Sequence, residues 1–99
     1  MGYNYSNFST EKKQIINDYI MRLLDICYPE GDYLGAEETT LKNVALDLVY
    51  HILDVGYNEE TLLVYVVNYV DSNFESFEKD LIIEVLMDLA VEFRKSTNS

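Results

Sequence analysis

The sequence predicts an all-α protein, a compact bundle of four antiparallel helices joined by short loops. Three observations lead to this prediction. Three stretches of the chain repeat apolar residues with the 3.6-residue period of a helix. Glycine and proline interrupt the chain at few positions, which favours long helices. The one stretch with strand-like composition finds no second strand candidate, and an isolated strand would leave its backbone groups unpaired.

The first helix is expected over residues 10–27. Ser9 or Thr10 supplies a side-chain oxygen for its N-cap. Pro29 ends the helix, because the residue before a proline is pushed out of the α region. The apolar stripe of this helix consists of Ile15, Ile16, Tyr19, Ile20, Leu23, Leu24 and Cys27.

The second helix is expected over residues 38–55, after a loop of residues 28–37. Gly56 follows directly and is expected to end this helix with positive φ, which glycine adopts without strain. The main apolar stripe consists of Leu41, Val44, Ala45, Leu48, Ile52 and Val55.

The third helix is expected to begin after Asn58, a favourable N-cap. Within it, residues 62–70 are ambiguous because their β-branched and aromatic side chains are typical of strands. We interpret them as a helix that is apolar on nearly all sides and therefore central in the bundle. The alternative is a strand that pairs across a homodimer.

The fourth helix is expected to begin near Ser72 or Ser76. Ser72 and Glu75 have the spacing of a capping box, in which each side chain bonds to the backbone near the other. Its expected core face consists of Leu81, Ile82, Val85, Leu86, Leu89 and Phe93.

The whole chain, residues 1–99, is expected to form one helical domain, since it is too short for two hydrophobic cores. A flexible arm is expected over residues 1–9, where Tyr3, Tyr5 and Phe8 lie. Residues 96–99 are expected to form a frayed tail.

The net charge of −11 limits the partners that the protein can have. Binding to phosphate is driven by lysine and arginine, so direct contact with nucleic acid or an anionic membrane is disfavoured. A basic protein and a cationic ligand remain as partners, and solubility alone is the alternative explanation of the charge. Cys27 is the one cysteine, which excludes an intramolecular disulfide. With no apolar run long enough to span a membrane, we expect a cytoplasmic protein, acting in its own cell or in a host cell.

The most informative pattern is a stripe of acid in the last helix. Its carboxylates recur every fourth residue with no base among them, and like charges at this spacing repel on a helix face. We call Asp80, Glu84, Asp88 and Glu92 the acidic stripe. Met87 and Val91 lie beside the stripe and are expected to supply apolar anchors for a partner. The alternative interpretation is that these carboxylates form an ordinary solvent-exposed helix face with no binding role.

Other reactive residues do not form a recognisable site. His51 lies four residues after Asp47 and three before Asp54, but one histidine with two carboxylates is a poor metal site. We expect His51 at the edge of the core with Asp47 as its partner. Cys27 lies on an apolar stripe without a visible base, so we expect a small buried hydrophobic residue. Neither a cofactor nor a metal is expected.

These observations predict a non-enzymatic interaction protein. In this hypothesis the acidic stripe, with Met87 and Val91, binds the basic surface of a nucleic-acid-binding protein and blocks it as a nucleic-acid mimic. Phage-encoded inhibitors of host defence are proteins of this class. Two alternatives stay open: an immunity or antitoxin-like protein that caps a basic toxin, and a self-associating structural protein.

Overall fold

A computed structural model describes residues 8–74 and 78–97, and within these ranges it contains four α-helices and no strand. The helices are α1 (Thr10–Cys27), α2 (Gly35–Val55), α3 (Glu59–Asn73) and α4 (Lys79–Thr97). The predicted all-α four-helix bundle is confirmed. Residues 62–70, which could have formed a strand, belong to α3.

Two contacts show that α3 and α4 run in opposite directions. At the start of α4, the Lys79 Nζ lies 3.0 Å from the Asp71 Oδ1 near the end of α3. At the other end of α4, the guanidinium of Arg94 lies 4.7 Å from the ring centroid of Tyr57, just before α3 begins. These contacts also fix the register of the two helices.

Helices α2 and α3 are antiparallel as well. The Tyr69 hydroxyl donates a hydrogen bond to the Asp47 carboxylate, and one turn away the His51 ring stacks on Tyr65 with centroids 3.8 Å apart. Moving from Asp47 to His51 along α2 thus corresponds to moving back from Tyr69 to Tyr65 along α3.

Helix α1 begins where α4 ends. Phe8, which precedes α1, packs edge-on against Phe93, with ring centroids 5.7 Å apart. Its ring centroid also lies 5.5 Å from that of Tyr50. Phe8 thus joins the core, and Ser9 caps the helix. The rest of the predicted arm, residues 1–7, lies outside the described residues. At the opposite terminus α4 continues to Thr97, so Ser96 and Thr97 of the predicted tail are helical.

Local capping explains where three helices begin. The Ser9 side chain accepts a hydrogen bond from the Lys12 backbone N–H at 3.3 Å, and the Asn58 side chain accepts one from Thr61 at 3.1 Å, as predicted. Helix α2 begins three residues earlier than expected. The cause is the Glu37 carboxylate, which accepts a hydrogen bond from the Leu34 N–H at 3.2 Å and stabilises an earlier first turn.

The predicted start of α4 near Ser72 is wrong. Ser72 lies inside α3, which continues through Asn73 and ends at Phe74, and α4 begins at Lys79. Continuing α3 past Ser72 brings Phe74 into the core, and this burial outweighs the local capping signal at Ser72. The other predicted capping residues, Glu75 and Ser76, lie outside the described residues.

The predicted central position of α3 is also wrong. It is α4 that packs against each of the other three helices, and its inner face is buried. Helix α3 lies at the side of the bundle and leaves several apolar residues exposed. Leu81 and Val55, expected in the core, are exposed as well. The buried residues of α4 are Ile82, Leu86, Leu89, Ala90 and Phe93.

None of the helices in the described ranges is both long and apolar enough to cross a membrane.

Candidate partner-binding surface

All four carboxylates of the acidic stripe lie on the exposed back of α4. The opposite side of this helix carries the buried residues, so the fold holds the stripe in solvent. Within residues 8–74 and 78–97, none of the four carboxylates makes a hydrogen bond or an ion pair. Their charge is therefore available to a partner.

The stripe winds around α4 instead of following its axis. Residues four apart are about 6 Å apart along a helix and turn by about 40° relative to one another. Over the whole stripe this amounts to a turn of about 120°. The start of the stripe, at Asp80, therefore lies nearer α3, and its end, at Asp88 and Glu92, lies nearer Tyr19 of α1.

The side toward α1 brings a base near the stripe. The guanidinium of Arg22 lies 4.5 Å from the ring centroid of Tyr19, and the Tyr19 hydroxyl feels the charges of Glu92 and Asp88. Burial raises the pKa of Tyr19; Arg22 lowers it, and the two carboxylates raise it further. Tyr19 of α1 therefore lies within the field of both Arg22 and the C-terminal half of the stripe.

The two predicted apolar anchors differ from the expectation in one respect. Met87 is half-buried and packs against the core, so only part of its side chain is available to a partner. Val91 is half-buried. The structure places both residues beside the acidic stripe, but neither presents a large exposed apolar surface.

A second group of polar and aromatic residues lines a cleft between α2 and α3. Asp47 pairs with the Tyr69 hydroxyl and not with His51, so the predicted His51–Asp47 pairing is wrong. The pKa of Tyr65 is raised by burial and by the nearby charge of Asp47. These contacts link α2 and α3 across the cleft. The cleft is lined by Asp47, Tyr50, His51, Asp54 and Tyr65.

Within the described part of the chain, no group of three or more histidine, cysteine or acidic side chains is placed to hold a metal ion. Cys27 is buried, as predicted, and burial raises the pKa of its thiol to about 11. A thiol with this pKa carries almost no thiolate at neutral pH, so it is not a nucleophile there.

One feature of the surface was not predicted. Leu63, Val64 and Val67 of α3 are exposed side by side, although the sequence predicts this helix at the centre of the bundle. The signal was present in residues 62–70, which hold more apolar residues than a peripheral helix can bury.

Comparisons of the chain with protein-family models, with curated proteins and with solved structures found no match.

Proposed function

We propose that this chain is a non-enzymatic interaction protein that acts in the cytoplasm as a nucleic-acid mimic. Its acidic stripe binds the basic surface of a nucleic-acid-binding protein and blocks it. The observation that carries this proposal is the exposure of four unpaired carboxylates on one helix. A phage-encoded inhibitor of a host defence protein is the biological setting that we propose.

The geometry of the stripe supports the mimicry. Its carboxylates rise by about 6 Å each along a rigid helix. One strand of a duplex carries a phosphate about every 3.4 Å along its axis, so both spacings are a few ångströms. A surface that fits phosphates can therefore accept these carboxylates.

The energetics of the stripe also favour a binding role. Its three neighbouring pairs of carboxylates repel, and each costs a few tenths of a kcal/mol. Replacing Glu84 or Asp88 by lysine would turn two of these repulsions into attractions. A helix optimised for stability alone would carry such a base, as solvated helix faces commonly do.

Capture from a lysate of the natural cellular context at low salt tests the proposal. Three immobilised proteins are compared: the native chain, a stripe variant (Glu84→Gln, Asp88→Asn, Glu92→Gln) and a control variant (Glu30→Gln, Asp32→Asn, Glu38→Gln). The control residues are also exposed, and each variant neutralises three carboxylates, so both variants change the net charge of −11 by the same amount. Mass spectrometry identifies the proteins retained.

We expect the native and control proteins to retain a basic nucleic-acid-binding protein that elutes as salt rises, and the stripe variant to lose it. Equal retention by the stripe variant, with an intact fold, would reject the proposal. A basic partner that needs the stripe but that duplex DNA does not displace would contradict mimicry and favour the capping of a toxin.

A further inference from the structure

A short apolar row lies exposed on the outer face of α3. The exposed fractions of Leu63, Val64 and Val67 are 44%, 62% and 37%. One helical turn before this row lies Glu60, and one turn after it lies Asp71, both exposed. The apolar patch is therefore bounded by acid at both ends.

Two residues of the apolar row, Leu63 and Val67, lie on the side of α3 next to α4. Tyr65 and Tyr69 face α2, where they meet His51 and Asp47. At about 100° per residue, Leu63 and Val67 lie roughly opposite these tyrosines, across the buried row of the helix. Because α3 also packs against α4, Leu63 and Val67 lie at the edge of that contact.

The register of the two helices shows which residues of α4 lie alongside. The contacts of Lys79 with Asp71 and of Arg94 with Tyr57 place Val67 level with Ile83 and Leu63 level with Met87. Ile83 and Met87 are half-buried and pack against the core. We call these four residues the α3–α4 seam: Leu63, Val67, Ile83 and Met87.

Acid lines the long edge of this seam. On α4, Asp80 and Glu84 occupy the helix positions next to Ile83 and Met87 on the solvent side. Glu60 adds a charge at the end of the seam. An apolar centre beside a charged rim is the usual organisation of a protein interface.

We propose that the α3–α4 seam docks an amphipathic cationic helix of the partner protein. The apolar face of that helix packs on Leu63 and Val67, while its lysine or arginine side chains reach Asp80 and Glu84. This inference rests on the proposed function and adds to it the apolar contact that Met87 and Val91 alone do not provide.

Charge selects this occupant over a second copy of the chain. Helix α3 contains no lysine or arginine, and Lys79, which borders it, is already paired with Asp71. A second copy docked on the seam would bring acid against acid in a chain of net charge −11. A partner helix with basic side chains meets no such repulsion.

The test uses a synthetic amphipathic helix of leucine and lysine as the probe, with a scrambled peptide of the same composition as its control. Binding is measured by fluorescence anisotropy for the native chain and for two variants. The seam variant is Leu63→Gln with Val67→Gln. The control variant is Met21→Gln with Leu34→Gln, which removes two apolar residues that are more exposed than the seam residues, one from α1 and one from the loop before α2. Circular dichroism verifies that both variants stay helical.

We expect the native chain and the control variant to bind the ordered peptide alike and the seam variant to bind about tenfold more weakly, as expected for residues at the centre of an interface. We expect the native chain to bind the scrambled peptide more weakly than the ordered one. Equal affinity of the seam and control variants, or equal binding of both peptides, would overturn the inference. In ¹⁵N-labelled native protein, the peptide should shift the amide signals of Leu63, Val67 and Met87; shifts confined to α1 and α2 would also overturn it.

These outcomes separate the inference from the proposed function. If the seam variant still captures a partner that the stripe variant loses, the inference fails and the proposed function stands. If the seam variant loses the peptide while the stripe variant captures as the native chain does, the seam is upheld and the proposed function is rejected.

Discussion

Cys27 lies in the last turn of α1, and its thiol is buried among core side chains. Burial disfavours the charged thiolate and raises the pKa of the thiol from its usual 9.0 to about 11. The residue therefore acts as a small apolar side chain of the core, and its chemistry appears only when the chain unfolds.

The pKa shift of Cys27 has a measurable consequence for stability. Because the folded pKa lies above the unfolded one, the unfolded chain releases its proton first, and stability falls as the pH rises from about 9 to about 11. We expect Cys27→Ala to have a flatter stability profile over this interval than the native chain, measured by urea unfolding. Tyrosines also titrate there, and the variant serves as the background that cancels them. Parallel profiles for the two proteins would contradict the account.

Residues whose role depends on near neighbours were predictable from the sequence. Ser9 and Asn58 cap their helices as expected, and Gly56 ends α2 with a φ of 84°. His51 shows the limit of this reasoning. Asp47, the acid expected to pair with His51, bonds instead to Tyr69 of α3, which lies 22 positions from Asp47 and which no local pattern connects to it.

Among the elements, α4 combines a structural and a proposed binding role. Its inner face packs against all three other helices, and its outer face carries the acidic stripe. The same rigidity that the core imposes on α4 holds the carboxylates at fixed spacing, which is the property that a nucleic-acid mimic needs.

Replacing one acid by a base should separate stability from binding. Glu84→Lys turns the repulsions with Asp80 and Asp88 into attractions, so we expect the free energy of unfolding to rise by about 1 kcal/mol at low salt. Binding to the captured partner should weaken, because a positive charge then stands in the middle of the stripe. Glu30→Lys, which changes the net charge equally in an exposed loop, is the control. A Glu84→Lys protein no more stable than this control would contradict the repulsion, and one that binds as the native chain does would contradict the role of the stripe.

The arrangement of the elements was less predictable than their existence. Residues 62–70 are apolar on nearly every side, so the helix period does not identify a single buried face. What decides the position of α3 is packing: α4 has a continuous inner face from Ile82 to Phe93 that can serve three neighbours. The excess of apolar residues in 62–70 indicates that some of them stay exposed on a peripheral helix, but only the packing decides which ones.

At the scale of the whole molecule, charge governs association. The chain carries a net charge of −11, and exposed carboxylates lie on both α3 and α4. Such a molecule repels its own copies and attracts cationic proteins over a distance set by the salt concentration.

We expect the purified protein to be a monomer at low and at near-physiological salt, because self-association through α3 would place acid against acid. Sedimentation velocity measures this directly. The seam variant, Leu63→Gln with Val67→Gln, should sediment as the native chain does. A dimer of the native chain that this variant abolishes would instead support the alternative of a self-associating structural protein.

The central claim is that the acidic stripe occupies the place of nucleic acid on a basic partner. The most direct measurement is competition: duplex DNA is titrated into the complex of this protein with its captured partner, at fixed salt, and the released protein is measured. The account predicts that DNA displaces the native chain and, at the same DNA concentration, the control variant that keeps the acidic stripe. A complex that persists when the partner is saturated with DNA would contradict it.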